Sequence, residues 1–171
     1  MKKYIAGLLL ILLAVSCNTK KEEELPVKNS DYISRPIGIN KHGEYNIVDV
    51  DTIRQKWNAD IKEKLELPDI ALSNFKIIKI STQGDTSETC YLLVANTPDG
   101  SASVGSILYL EGDKFYFETD KRRGQKSSQV IICKGRYGQP GCNPIVLLHN
   151  KEKYLICSSS DDCEKIASEV F

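Results

Sequence analysis

Residues 89–118 read TCYLLVANTPDGSASVGSILYLEGDKFYFE and contain three apolar runs separated by two short polar breaks. The break at residues 96–100 combines proline with glycine, which favours a turn because proline presets φ and glycine adopts positive φ at low cost. The break at residues 111–114 is a second tight turn that also contains glycine. Short connections favour antiparallel neighbours. The stretch therefore predicts three successive paired strands, over residues 89–95, 102–110 and 114–118.

One amphipathic helix is predicted ahead of these strands, over residues 51–67. Its apolar residues recur every four positions and fall on a single stripe: Ile53, Trp57, Ile61 and Leu65. Such a stripe is typical of a helix that packs one face against a sheet. Pro68 ends the helix, because proline disfavours a helical residue before it.

The remaining chain predicts further strands and a second helix. Short apolar runs indicate four more strands, at residues 75–80, 129–133, 144–149 and 154–157. Residues 161–170 predict a short terminal helix. Together the elements predict one α+β domain over residues 36–171, with one N-terminal amphipathic helix packed on an antiparallel β-sheet and disulfide-stapled C-terminal hairpins. The order of elements resembles that of cystatin-like domains.

Four of the six cysteines crowd the C-terminal end: Cys133, Cys142, Cys157 and Cys163. In an exported chain, clustered cysteines indicate disulfides. Local pairs (Cys133–Cys142, Cys157–Cys163) and crossed pairs (Cys133–Cys157, Cys142–Cys163) are both compatible with the sequence, so the connectivity stays open. Four thiolates around Zn²⁺ are the weaker alternative, because the spacings are wider than in usual zinc sites. Cys90 lies in an apolar run and is predicted to stay unpaired as a small hydrophobe.

The chain begins like a secretion signal. Two lysines precede an apolar run at residues 5–15, and this run is shorter than the ~20 residues that a membrane-spanning helix needs. Small side chains at Ala14 and Ser16 precede Cys17, and the sequence LAVSC that ends there resembles the lipobox of bacterial lipoproteins. The resemblance implies that residues 1–16 are a signal peptide, and that Cys17 carries fatty acid such as palmitate on its sulfur and amine.

The residues after Cys17 predict a flexible tether and indicate which membrane the protein is attached to. Residues 17–35 are mostly polar or charged, and they predict a lipidated flexible tether. The run KKEEE at residues 20–24 resembles the signal of surface-exposed lipoproteins from Bacteroidota; its alternative is a solvated charge run within the tether. Asn18 stands where inner-membrane lipoproteins of enterobacteria carry aspartate. The resemblance therefore implies the outer membrane, with the domain in the periplasm or at the cell surface.

The net charge of the chain argues against a nucleic-acid partner. One stretch of the chain is nevertheless strongly basic. Without residues 1–16, which hold two lysines and no acid, the net charge is −2, unlike a nucleic-acid-binding domain. Residues 121–138 contain no acid and six basic residues: Lys121, Arg122, Arg123, Lys126, Lys134 and Arg136. With Tyr137 beside them, these cations predict contact with an envelope protein or an anionic polysaccharide. The alternative is a loop that charge keeps solvated.

Patterns typical of enzymes are missing from the sequence. The two histidines, His42 and His149, lie in no nucleophile–base arrangement. Gly-x-Ser-x-Gly, Cys-x-x-Cys and phosphate-binding glycine loops do not occur. We therefore predict a protein that is not an enzyme and has no cofactor.

The cysteine-rich end adds a last resemblance. CKGRYGQPGCNP at residues 133–144 and CSSSDDC at residues 157–163 resemble the C-terminal end of small uncharacterised lipoproteins of Bacteroidota, and this implies no activity. The predicted function is therefore a lipid-anchored, non-enzymatic binding module of the cell envelope. The alternative is an inhibitor or immunity-type protein that blocks a hydrolase or toxin there.

Overall fold

The computed structural model describes residues 30–65, 71–120, 127–136, 140–158 and 162–170, and these residues form mainly β-strands. Strand accounts for 57% and helix for 17%. The described helices are α1 at Ser30–Ser34 and α2 at Val50–Leu65. The described strands are β1 at Gly38–Lys41, β2 at Glu44–Ile47, β3 at Ser73–Ser81, β4 at Gln83–Gly84, β5 at Thr89–Asn96, β6 at Ala102–Glu111, β7 at Lys114–Phe117, β8 at Thr119–Asp120, β9 at Ser127–Gly135, β10 at Pro144–His149, β11 at Glu152–Cys157 and β12 at Cys163–Val170.

The large sheet is antiparallel and centres on β6. Its order is β12-β9-β6-β7-β1-β2, and β6 also pairs with β5, which in turn pairs with β3. One edge of β6 is shared, because residues 102–106 pair with β9 and residues 108–111 pair with β7. The other edge of β6 pairs with β5, so the predicted succession β5–β6–β7 is confirmed.

The small sheet consists of a hairpin and a two-residue strand, in the order β11-β10-β4. The β10–β11 pair is antiparallel, whereas β4 runs parallel to β10 and places Gly84 opposite Leu148. Gly84 has φ 108°, and a Cβ there would clash with the Leu148 carbonyl oxygen. Only glycine meets both demands without strain.

The two faces of the large sheet bury separate cores, because successive side chains of a strand point to opposite faces. One face packs against α2, and the core between them contains Leu93, Leu108, Phe115 and Phe117 of the sheet with Ile53, Trp57 and Ile61 of the helix. The other face lies beneath β10 and β11, and the core there contains Leu92, Ile107, Ile131 and Cys133 of the large sheet with Val146 and Leu155 of the small sheet. The domain is thus layered as helix, large sheet and small sheet.

The predicted helix forms as α2, and the three residues of its apolar stripe whose side chains the structure describes are turned inward. Ile53, Trp57 and Ile61 are each at most 1% exposed. The Trp57 ring lies 5.8 Å from Phe75 and 6.5 Å from Phe117, measured between ring centroids. The tryptophan therefore anchors the helix on the sheet, which is the role predicted for its place in the stripe.

The α+β class is wrong, because strands dominate the structure. Among the described residues only one helix reaches seven residues, and it is not N-terminal. The terminal helix predicted over residues 161–170 is also wrong, since β12 occupies this stretch and pairs with β9 along its whole length. Alanine, lysine and glutamate in CEKIASEV favour a helix locally, but pairing with a buried strand overrides that preference.

Before α2, the chain is folded over more residues than predicted. In α1, Tyr32 and Ile33 are buried, and the Tyr32 ring lies 5.1 Å from Phe117. β1 and β2 form a hairpin whose turn places His42 and Gly43 at positive φ. The packed core therefore includes residues that precede position 36.

The N-terminal predictions concern a part of the chain that the structure does not describe. The signal peptide at residues 1–16, the lipidation site Cys17 and the tether up to residue 29 lie outside the described residues.

Candidate functional site

Two disulfides hold the small sheet to the large sheet. Cys133 of β9 bonds to Cys157 at the end of β11, and Cys142 ahead of β10 bonds to Cys163 at the start of β12. This is the crossed pairing, which the β9–β12 ladder favours by bringing Cys133 and Cys163 to the same end of the sheet. We call β10 and β11 together the clamped hairpin. Closing loops of this size contributes about 3 kcal/mol per disulfide.

Cys90 is the free cysteine in the described part of the chain, as predicted, and it is buried. It packs beneath the clamped hairpin with Leu92 and Ile80. Burial raises the pKa of the Cys90 thiol. A buried, protonated thiol is a packing group rather than a nucleophile.

The turn of the clamped hairpin is fixed to the segment after β4. Asp85 accepts a hydrogen bond from the Asn150 backbone N–H at 2.8 Å, and its other oxygen lies 3.4 Å from Nδ1 of His149. The Asp85 backbone N–H donates to the Leu148 carbonyl at 2.9 Å. The hydrogen bond from Asn150, followed by that from His149, lowers the pKa of Asp85. His149 therefore has a structural partner on the surface.

The outer edge of the clamped hairpin carries one conspicuous contact. Nζ of Lys165, on β12, donates to the Leu155 carbonyl of β11 at 3.0 Å. β11 is the terminal strand of the small sheet among the described residues. The lysine thus occupies a backbone acceptor on an edge where a further strand would bind.

A shallow depression of about 310 Å³ lies beside this contact. Its lining includes Gln129, Leu147, Tyr154, Ile156 and Lys165. Tyr154 is 42% exposed, and Leu147 and Ile156 are half-buried. Strands β10 and β11 therefore show apolar side chains on the outer face as well as toward the core, where Val146 and Leu155 lie.

The predicted basic stretch is described only in part. Lys121, Arg122, Arg123, Lys126 and Tyr137 lie outside the described residues. Lys134 is half-buried on β9 and stands opposite Glu164 of β12, whereas Arg136 is exposed and its N–H donates to the Asp162 carbonyl. The structure thus places two of the six cations at one end of the β9–β12 ladder.

A pair of tyrosines stacks across β6 and β7 of the large sheet, outside the clamped hairpin. Tyr109 and Tyr116 are opposite each other on β6 and β7, with ring centroids 5.3 Å apart and planes 17° apart. Tyr109 is 43% exposed. Cross-strand aromatic pairs of this kind contribute to the stability of a strand pair, so the contact has a structural role.

The comparisons with known proteins found no relative for this chain. The chain matches no family model, no curated protein and no solved structure. Within the described ranges, no cluster of three or more histidine, cysteine, aspartate or glutamate side chains could hold a metal ion. No helix of the described residues has the length and apolar character required to cross a bilayer.

Sequence reasoning missed the residues that organise the clamped hairpin surface. Lys165 fell in the predicted terminal helix, and Asp85 fell between predicted strands. A signal was present in IVLLH and YLIC, where near-continuous apolar runs indicate strands that are covered on both faces. Those runs predict a second apolar face, but they do not say what lies against it.

Proposed function

We propose that this protein is a lipid-anchored cell-envelope protein that binds a partner at the outer membrane and catalyses no reaction. The observation that carries the proposal is the pair of disulfides, Cys133–Cys157 and Cys142–Cys163. Structural disulfides persist in oxidising compartments outside the cytosol. The signal-like residues 1–16 and the LAVSC sequence ending at Cys17 support export and anchoring.

The binding surface that we assign to this function is the basic stretch from Lys121 to Arg136, with Tyr137. The partner is an envelope protein with an acidic surface or an anionic polysaccharide, because clustered cations attract and orient such partners. Disulfides at Cys133 and Cys142 fix the chain on both sides of Arg136. A partner that contacts Arg136 between these fixed points orders fewer groups on binding, which favours affinity.

Binding to envelope extracts tests the surface. In the test variant, glutamine replaces the six cations: Lys121, Arg122, Arg123, Lys126, Lys134 and Arg136. In the matched control, glutamine replaces six exposed lysines elsewhere: Lys41, Lys62, Lys64, Lys76, Lys79 and Lys114. We expect only the test variant to lose binding at low salt, and we expect the parent to lose it at high salt. Equal binding by all three proteins at each ionic strength would reject the surface.

The anchor has a test of its own. We expect full-length protein from its native envelope to fractionate with the outer membrane, and Cys17→Ala to remain unprocessed. The intact mass of the native protein should show loss of residues 1–16, added acyl chains and one free thiol. A soluble, unprocessed product with five free thiols after position 17 would contradict both export and anchoring.

A second candidate function rests on the same disulfides. Both ends of residues 134–141 are fixed covalently, and Arg136, Pro140 and Gly141 of that segment are exposed. Exposed residues between two covalently fixed ends suit an inhibitor or immunity-type protein that blocks a hydrolase or toxin in the envelope. Co-purification of a stable one-to-one complex with one secreted hydrolase or toxin would favour this candidate over a polysaccharide binder.

A further inference from the structure

We propose that the outer edge of β11 is a docking site for one extended segment of a partner protein, which adds to the small sheet as a further strand. The inference rests on the proposed function as a binding module, and it names the partner chemistry at a surface other than the basic stretch. The segment carries an acidic side chain beside Leu155 and apolar side chains on either side of it.

The register of the clamped hairpin shows which backbone groups of β11 point outward. Ser158 N–H donates to the Asn143 carbonyl, so this residue faces β10. In an antiparallel ladder the residues alternate between facing the partner strand and facing away from it. Lys153, Leu155 and Cys157 therefore turn their N–H and C=O groups outward.

Two contacts agree with this assignment. The Leu148 carbonyl of β10 points away from β11, because it accepts from Asp85 N–H on the opposite edge. The Leu155 carbonyl of β11 points away from β10, because it accepts from Nζ of Lys165 at 3.0 Å. Within the described residues, the outer edge of β11 thus turns donors and acceptors outward at every second residue, which is the spacing that an extended peptide matches. The Leu155 carbonyl exchanges its bond from Lys165 for one from a backbone N–H of the added strand.

Lys165 selects an acidic residue in the incoming segment. Among the described residues its ammonium group donates to the Leu155 carbonyl. It therefore lies next to the position that a side chain of the added strand opposite Leu155 would take. A carboxylate there accepts a charge-assisted hydrogen bond, which is stronger than one to a neutral carbonyl. On the outward face, Tyr154, Ile156 and Leu147 surround the depression and favour apolar neighbours.

Charge also argues against a second copy of this chain as the occupant. A two-fold pairing of two β11 strands about Leu155 would bring both Lys165 ammonium groups to the symmetry axis. Like charges placed close together in this way are destabilising. A segment that carries a carboxylate has the opposite effect, so a heterologous strand fits the edge better.

Selection from a library of displayed ten-residue random peptides tests the proposal on the full-length protein in detergent. We expect enriched peptides with an apolar–acidic–apolar alternation. Lys153→Pro removes an outward N–H without touching the bonds to β10, and Lys153→Ala is its control, since both lose the contact with Glu118. We expect the proline variant to bind about tenfold more weakly than the alanine variant. Enrichment of the same peptides on the proline variant would overturn the proposal.

Peptide chemistry keeps the test valid if Lys153→Pro does not fold. Synthetic copies of an enriched peptide carry N-methyl groups on alternate amides. We expect one alternate set to abolish binding to the parent protein and the other set to leave it unchanged, because only one set of amides faces β11. Equal effects of both sets would exclude strand addition.

The role of Lys165 has a separate readout. In Lys165→Met, which keeps the apolar stem, we expect the preference for glutamate over glutamine in the peptide to disappear. A preference retained in this variant would remove Lys165 from the site. If the parent protein forms concentration-dependent dimers and Lys153→Pro abolishes them, the occupant of this edge is a second copy of the chain, and the proposed partner segment is rejected. Envelope binding that depends on the six cations is a separate result, so the docking site can fail while the proposed function stands.

Discussion

The two faces of the large sheet are covered by different means. On one face a 16-residue helix, α2, buries Ile61 in the core and packs Trp57 against Phe75 and Phe117 of the sheet. On the other face the clamped hairpin adds few side chains, Val146 and Leu155 chief among them, and two disulfides tie it down. Buried apolar area supplies the first attachment, and covalent cross-links reinforce the second.

The difference follows from how much apolar surface each cover can bury. A helix presents a broad stripe of large side chains to the sheet, whereas one face of a two-stranded hairpin presents every second residue. An isolated hairpin is marginally stable in water. The cross-links compensate for this small contact, and they leave the outer face of the clamped hairpin free to carry exposed apolar side chains.

The largest effect is expected on the helix-covered face. Trp57→Ala removes a side chain that is 1% exposed, and truncations of this kind cost about 3–5 kcal/mol. We expect a matching loss in the free energy of unfolding in urea, with the disulfides still formed. Gln55→Ala, on the exposed side of the same helix, is the control and should change stability little. A small effect of Trp57→Ala would mean that the packing of α2 contributes little to stability and that the disulfides contribute most of it.

The next effect concerns the clamped hairpin. Replacing Cys133 and Cys157 together by alanine opens a cross-link that spans 24 residues, and we expect a loss of about 3 kcal/mol. Hydrogen exchange should rise most on β10 and β11, while α2 stays protected. Cys90→Ala, a buried cysteine outside any disulfide, controls for lost packing. Uniform exchange across both faces would show that the hairpin does not open separately.

The sequence predicted the helix-covered face better than the hairpin-covered one, for a physical reason. The stripe of α2 and the apolar runs of β5 and β6, joined by a short turn, are local signals, and the structure confirms both the helix and the paired strands. The crossed disulfides depend on the pairing of β9 with β12, a long-range contact that local pattern does not encode. Lys165 joined the candidate site only through that pairing, because a helix would have placed it elsewhere. The site was therefore inaccessible from the sequence as long as residues 163–170 were taken for a helix.

A smaller effect is expected at Gly105 of β6, where Pro144 of the clamped hairpin comes close to the large sheet. A Cβ on Gly105 of β6 would lie 2.6 Å from Cβ and 2.7 Å from Cγ of Pro144. Gly105→Ala should therefore push the clamped hairpin off the sheet and lower the free energy of unfolding by about 1–3 kcal/mol. Combining it with Pro144→Gly removes the clashing atoms. We therefore expect the double variant to lose less free energy of unfolding than the two single variants lose in total. Additive losses would place the strain elsewhere.

The smallest effect is expected at the turn of the clamped hairpin, and it depends on pH. Hydrogen bonds from Asn150 and His149 lower the pKa of Asp85 in the folded state. A carboxylate whose pKa is lowered on folding stabilises the protein above its unfolded pKa, about 3.9, and this stabilisation is lost as the pH falls through the lower folded value. We therefore expect Asp85→Asn to reduce the decline in stability below that pH, measured by urea unfolding across an acid series.

Asp99, in the turn between β5 and β6 of the large sheet, provides the matched comparison for that measurement. Hydrogen bonds from Thr97, then from Ser101, lower its pKa as well. Both carboxylates are exposed, so each contribution is small and screened by solvent. If Asp85→Asn and Asp99→Asn change global stability alike but only Asp85→Asn speeds hydrogen exchange in β10 and β11, then the turn contact secures the clamped hairpin specifically. Identical exchange in both variants would leave the disulfides as what holds that hairpin in place.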